Sequence, residues 1–124
     1  MNINFSQKTG RITQDDGTYI ALGWAGNGIG KLNPDAESMV AIGPLPRGTY
    51  QVGEWEDQHP HLGPMVAALT QISGDTFGRS AFYIHGPAVD PVLYGQESKG
   101  CIVVPHFGRL AIKDLAPDTV TVRV

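Results

Sequence analysis

Glycine and proline recur along the whole chain, and this pattern constrains the fold more than any other feature. The 124 residues include 16 glycines and 9 prolines, which favour turns and leave only short segments for regular structure. A core made of β-sheets follows from this pattern. A chain of this length can bury about two thirds of its unfolded surface in one core, so we predict one domain over residues 1–124.

Charge and hydropathy exclude several classes of function. The net charge is −3, and the 9 lysines and arginines are scattered along the chain, which argues against a nucleic-acid partner. The sequence contains no apolar run near the ~18 residues of a membrane span. The first ten residues lack the basic and apolar regions of a Sec signal, so we expect synthesis in the cytoplasm and another export route.

Local patterns predict most of the regular elements. Apolar and β-branched runs indicate strands at 4–6, 11–13, 18–22, 49–55, 81–85, 102–104 and 119–124. Residues 64–72 suit either a strand or a buried helix. Asn33 and Pro34 are typical of the start of one helical turn. Residues 106–116 form a predicted amphipathic helix whose apolar side chains are Phe107, Leu110, Ala111 and Leu115.

The only cysteine of the chain carries the strongest chemical signal. Cys101 follows Ser98-Lys99-Gly100 and begins one predicted strand, while His85 ends another. Pairing these strands would bring the imidazole and the thiol together, and an imidazolium lowers the pKa of a thiol from its usual ~8.5 by several units. Backbone N–H groups at Gly100 and Cys101 would form an oxyanion hole, with the Ser98 hydroxyl completing the pocket. A lone cysteine is more often a packing residue, but these neighbours favour catalysis.

Other side chains near this segment have two interpretations each. Arg79 either binds a carboxylate of a peptide substrate or forms a surface salt bridge. Tyr83 shares a strand face with His85. Trp24 either shapes a substrate groove or packs in the core.

A cluster of acidic residues and histidines also has to be weighed as a metal site. His59-Pro60-His61 does not have the helical spacing of a zinc site. An ordinary polar loop is favoured, so we predict no metal and no cofactor. The acidic residues of this cluster are Glu54, Glu56 and Asp57.

Several motifs together resemble one enzyme family. His85-Gly86, followed after a loop by Ser98-x-Gly100-Cys101-Ile102, is similar to the active-site signature of YkuD-like L,D-transpeptidase catalytic domains. Gly78-Arg79 and the runs at 30–34 and 43–50 resemble a small subgroup of antibacterial effectors delivered by type VI secretion. The likeness extends over residues 5–124.

The resemblance implies a mostly β fold, a sandwich or barrel of mixed sheets with one or two short helices. It implies a peptidoglycan-modifying acyltransferase that forms a Cys101 thioester on tetrapeptide stems, acting in the periplasm or cell wall. Expected partners are stem peptides, secretion machinery and an immunity protein. The implied catalytic residues are Cys101, His85, Ser98 and Gly100. The implied substrate-binding residues are Arg79, Tyr83, Gly86, Lys99 and Trp24.

Two departures from the family pattern leave alternatives open. Lys99 stands where the family often has histidine, and Val103 where it has arginine or asparagine. The first alternative is a weakly active or inactive module that binds peptidoglycan. A cysteine peptidase of ordinary peptides is the second.

Overall fold

The part of the chain that the structure describes forms eight strands, one α-helix and two short 3₁₀ turns. A computed structural model describes residues 1–87 and 98–124. The loop predicted between the His85 and Cys101 strands lies at 88–97, outside the described residues. The strands are β1 (Asn2–Ser6), β2 (Arg11–Gln14), β3 (Tyr19–Leu22), β4 (Gly48–His59), β5 (Gly63–Gly74), β6 (Phe82–His85), β7 (Ile102–Val103) and β8 (Thr119–Arg123), and the helix is α1 (His106–Leu115).

All eight strands belong to one mixed sheet with the order β3-β2-β1-β8-β4-β5-β6-β7. The β1–β8 and β6–β7 pairs are parallel, and the other pairs are antiparallel. The two ends of this order meet, because Trp24 and Val103 exchange backbone hydrogen bonds of 3.0 and 2.7 Å. The sheet therefore curls toward a barrel, and the predicted mostly β fold of mixed strands is confirmed.

The interior of the curled sheet is one apolar cluster. Side chains from both halves of the sheet contribute to it, and so does Ile112 of α1. Burial of this apolar surface is the main favourable contribution to folding. The largest fully buried side chains include Ile3, Phe5, Ile12, Leu45, Tyr50, Ile84, Ile102 and Ile112.

The predicted helix is present, but its buried face is shifted from the predicted one, of which Leu110, Ala111 and Leu115 are half-buried. Phe107 is 83% exposed, whereas Arg109 and Ile112 are buried. The reason is a close approach at Gly108, where an added Cβ would lie 3.1 Å from Ala21 of β3 and 2.6 Å from Val104. The face centred on Gly108 therefore packs against the sheet.

The β4–β5 hairpin is longer than the sequence indicated. Residues 64–72 are strand rather than helix, and β4 continues past Trp55 to His59. The charged residues on the outer part of β4, which are Glu54, Glu56 and Asp57, are exposed. The predicted turn at Asn33 is confirmed, since its side chain accepts a hydrogen bond from the Asp35 N–H at 3.1 Å and Pro34 is the first helical residue.

Within the described ranges, α1 is the only α-helix, and it is too short to span a membrane.

Candidate active site

Two adjacent parallel strands bring the cysteine and histidine segments together. Ile84 of β6 lies opposite Ile102 of β7, and His85 lies opposite Val103. This register places Cys101, which directly precedes β7, at the level of Tyr83, two residues before His85. The predicted pairing of the two strands is confirmed.

The Cys101 thiol is buried, and burial dominates its acidity. The side chain is 8% exposed, and Sγ donates to the Ala81 carbonyl at 3.7 Å. Burial raises the pKa of Cys101 to about 11, against the opposing effects of the Tyr83 backbone N–H and the Arg79 charge. The thiol is therefore protonated at pH 7, which differs from the lowered pKa that the sequence suggested, because local sequence does not reveal how far a side chain is buried.

His85 is held in one tautomer by its neighbour. The imidazole is 3% exposed, and its Nδ1 lies 2.8 Å from the Gly86 carbonyl oxygen. A carbonyl only accepts hydrogen bonds, so Nδ1 carries the proton in the neutral ring and Nε2 is the basic nitrogen. A backbone carbonyl therefore orients the His85 ring.

Ser98 organises the turn that leads into Cys101. Its fully buried Oγ accepts from the N–H groups of Gly26 at 2.8 Å and Gly100 at 3.2 Å, and donates to the Cys101 carbonyl. The hydroxyl therefore lies inside the turn and not on a pocket wall. Of the two amides expected in the oxyanion hole, that of Gly100 is engaged by Ser98.

Asn27 is a site residue that the sequence analysis missed. Its Nδ2 donates to the Ser98 carbonyl at 2.7 Å and to the Ala41 carbonyl at 2.8 Å. It thereby connects the loop after β3 to the turn before the cysteine. No local signal in a glycine-rich loop points to such a contact, because its partner is 71 residues away in the sequence.

Arg79 lies beneath the same turn. It is 7% exposed, and its guanidinium donates to the carbonyls of four residues and lies 5.6 Å from the Phe82 ring centroid. The alternative of a surface salt bridge is therefore wrong. The four carbonyls belong to Glu37, Gly43, Pro44 and Lys99.

A cleft lies next to Ala81, whose carbonyl accepts the hydrogen bond from the Cys101 thiol. Its volume is about 420 Å³, and Arg79 and Tyr83, two of the predicted substrate-binding residues, line it together with Ala81. The remaining lining residues are 68–71, Thr76, Ser80 and Phe82.

The other predicted binding residues lie around the two strands. Lys99 is exposed on the turn, and Trp24 is half-buried with Lys31 Nζ 4.8 Å from its ring centroid. Gly86 leaves room for the buried Arg109 guanidinium, since a Cβ there would lie 2.7 Å from it. Arg109 was also missed, because a charged residue on a short helix predicts exposure. Among the described residues, no three His, Cys, Asp or Glu side chains are grouped to hold a metal ion.

Solved L,D-transpeptidases share this architecture. An L,D-transpeptidase from Mycobacterium smegmatis matches 99% of this chain and 58% of its own, with a TM-score of 0.55 and 17% identity. L,D-transpeptidase LdtMt1 in complex with imipenem matches 98% of this chain and 57% of its own, with a TM-score of 0.52 and 16% identity. The chain thus spans less than three fifths of the length of these structures.

No family model and no curated protein matches the sequence. The similarity to the solved structures therefore shows the fold of the chain. The family resemblance seen in the motifs is confirmed for this fold. This chain has the fold of the L,D-transpeptidases.

Proposed function

We propose that this chain is a peptidoglycan-modifying cysteine acyltransferase of the L,D-transpeptidase type, with residues 1–124 as one catalytic domain. The observation that carries the proposal is the fold, together with the only cysteine directly before β7 and a histidine at the end of the adjacent β6. The proposed substrate is the tetrapeptide stem. The bond cleaved joins an L-configured to a D-configured centre, between meso-diaminopimelate and D-alanine.

Acyl transfer begins with attack of Cys101 Sγ on the carbonyl of that bond. Because the buried thiol is protonated, its proton moves to Nε2 of His85 as the S–C bond forms. The Cys101 N–H, and the Gly100 N–H once it leaves Ser98, stabilise the oxyanion. His85 then returns the proton to the departing amine, D-alanine leaves, and a thioester remains on Cys101. An amine of a second stem, a D-amino acid or water resolves the thioester.

The cleft of about 420 Å³ is the proposed site of the acyl-donor stem. Ala81 lines the cleft, and its carbonyl accepts the thiol hydrogen bond, so a bound stem would lie close to the nucleophile. Tyr83 and Arg79 form its walls. In this proposal Lys99 and Trp24 lie at the rim of the site, and Gly86 acts through the carbonyl that accepts from His85 Nδ1.

Muropeptide product analysis tests this function. Tetrapeptide-stem muropeptides incubated with the protein are expected to lose D-alanine, giving tripeptide stems, exchanged stems or 3–3 cross-links according to the acceptor. The Cys101→Ala and His85→Ala variants should give no product, while His61→Ala, a change at the exposed hairpin tip, should behave as wild type. Unchanged muropeptides with folded, reduced wild-type protein would reject the proposal.

A carbapenem provides a second probe of the same thiol. One of the similar structures is a complex with imipenem, and the β-lactam carbonyl is an electrophile that a cysteine thiolate can attack. Intact-mass analysis should show one imipenem adduct on wild type and on His61→Ala, and none on Cys101→Ala. An adduct on the Cys101→Ala protein would show that the reaction does not involve this thiol.

We further propose that the enzyme is an antibacterial effector that acts in the periplasm and is paired with an immunity protein. The motif resemblance to the type VI subgroup supports this role. Expression with a periplasmic export signal should arrest growth of a Gram-negative host, and expression without one should not. Equal growth in both cases, with Cys101→Ala as the control, would argue against it.

A further inference from the structure

Arg79 is a buried cation with an unusual set of partners. The Glu37 carboxylate accepts hydrogen bonds from Arg47 and Gln7. Arg79 does not contact this carboxylate, and its hydrogen bond to Glu37 goes to the backbone carbonyl. Among the residues that the structure describes, Arg79 forms no salt bridge. Burying a charge without a counter-charge lowers the free energy of unfolding. The function that explains this cost follows from the contacts of Arg79.

The guanidinium is in direct contact with the turn that carries the nucleophile. Its Nη2 donates to the Lys99 carbonyl at 3.1 Å and to the Gly43 carbonyl at 2.8 Å. A Cβ at Gly100 would lie 2.6 Å from the same Nη2 atom, and Gly100 has a φ of 123°. Gly100 is therefore required by the arginine beneath it as well as by the backbone conformation. The Arg79 side chain thus contacts both residues that directly precede Cys101.

We propose that Arg79 is a positioning residue of the site: it fixes the Lys99–Gly100 backbone under Cys101 and supplies the positive charge that favours the thiolate. This inference rests on the proposed function for its meaning in catalysis. It replaces the expectation that Arg79 binds a substrate carboxylate through its terminal nitrogens, because the carbonyls of the 37–44 segment and of the turn already accept hydrogen bonds from Nη1 and Nη2.

Other charged and titratable groups surround Arg79 and Cys101. Tyr83 and His85 lie on β6, Lys99 is exposed on the turn, and Glu37 and Tyr50 face Arg79. Tyr50 is neutral near pH 7, since burial raises its pKa, and its hydroxyl donates to the Pro46 carbonyl at 2.7 Å. Arg79 carries a charge that lowers the pKa of Cys101.

A titration of the thiol tests the proposal without any assay of peptidoglycan chemistry. Cys101 is the only cysteine, so ¹³Cβ-cysteine labelling gives one NMR signal whose shift with pH reports its ionisation. Arg79→Met should move this titration to higher pH by about half to one unit, which is a 3- to 10-fold loss of thiolate at a given pH. Arg79→Lys, which keeps the charge, should stay within about 0.3 units of wild type.

Two controls separate this role from general destabilisation and from substrate binding. Arg47→Met removes a cation from the same loop region without touching the turn, and its thiol titration should match wild type. With muropeptide substrate, Arg79→Lys should lower kcat and leave KM nearly unchanged.

An unchanged thiol titration in folded Arg79→Met would overturn the proposal. If that variant does not fold, a rise in KM at constant kcat in Arg79→Lys would overturn it instead. Absence of turnover in wild type together with the predicted titration shift would reject the proposed function and leave the charge effect of Arg79 intact.

Discussion

At Cys101, burial and charge act on the same proton in opposite directions. Burial raises the pKa to about 11, although the Tyr83 N–H and the Arg79 charge lower it. In the proposed mechanism, deprotonation therefore accompanies attack on the substrate, with His85 Nε2 as the acceptor. Before substrate binds, the Cys101 thiol is neutral, and a neutral thiol is less reactive toward oxidants and alkylating agents than a thiolate.

Alkylation kinetics test this protonation state. Because only the thiolate reacts, the rate of Cys101 modification by iodoacetamide should rise about tenfold per pH unit from pH 7 to 9.5. Mass spectrometry of quenched samples measures this rate, with Cys101→Ala as the blank. A plateau below pH 8 would instead reveal a preformed thiolate and contradict the account.

The sequence predicted that the Cys101 and His85 segments lie side by side, but not the contacts that support them. This proximity could be predicted because each residue lies at an end of a short apolar run, and the two runs pair. The roles of Ser98 and Arg79 could not, because their partners are distant in the sequence. Gly26 is 72 residues from Ser98, and Glu37 is 42 residues from Arg79.

At the scale of elements, the turn before β7 is held by the loop after β3. The Gly26 N–H and the Asn27 side chain both bind Ser98, and Trp24 pairs with Val103. These contacts fix the orientation in which Cys101 enters β7. Loss of the Ser98 hydroxyl should therefore loosen the nucleophile as well as lower the stability.

Ser98→Ala leaves two buried N–H groups without their acceptor. We expect the free energy of unfolding to fall by about 2–3 kcal/mol and the turnover to fall at least tenfold, measured by urea unfolding and product release. Ser73→Ala, at an exposed serine of β5 outside the cleft, should change the free energy of unfolding by less than about 0.5 kcal/mol and leave turnover unchanged. A Ser98→Ala protein as stable and active as the control would contradict this function of the turn.

The ends of the strands and the buried face of the helix could not be predicted from local sequence patterns. Periodicity found the helix and most strands, but β4 extends to His59 because pairing with β5 stabilises residues that have no apolar alternation. The buried face of α1 depends on where Gly108 meets β3 and Val104. Both features depend on tertiary contacts, which local patterns do not contain.

At the scale of the whole molecule, Glu37 connects the core to the site. Its carboxylate accepts hydrogen bonds from Gln7 and Arg47, and its backbone carbonyl accepts one from Arg79. Burial alone would raise the pKa of Glu37, but the hydrogen bonds from Arg47 and Gln7 outweigh burial and lower it to about 2. The ionised carboxylate is therefore part of the native structure.

This lowered pKa predicts a loss of stability in acid. A carboxyl group whose folded pKa is below its unfolded value of 4.5 stabilises the fold above pH 4.5, and this contribution is lost as the pH falls toward about 2. The loss is about 3 kcal/mol. Urea unfolding at a series of pH values measures how the free energy of unfolding decreases as the pH falls. Wild type and Glu56→Gln, an exposed control, should show the same slope, and Glu37→Gln should show a much flatter one. Parallel slopes for all three proteins would contradict the assignment.

Intact mass after incubation with tetrapeptide-stem muropeptides tests the central claim, that Cys101 is the acyl-accepting nucleophile of an L,D-transpeptidase fold. The account predicts a mass increase equal to the acyl donor minus D-alanine on the wild-type protein, removed by hydroxylamine and absent from Cys101→Ala. Wild-type protein that is folded and reduced, yet gains no mass and releases no D-alanine, would contradict it.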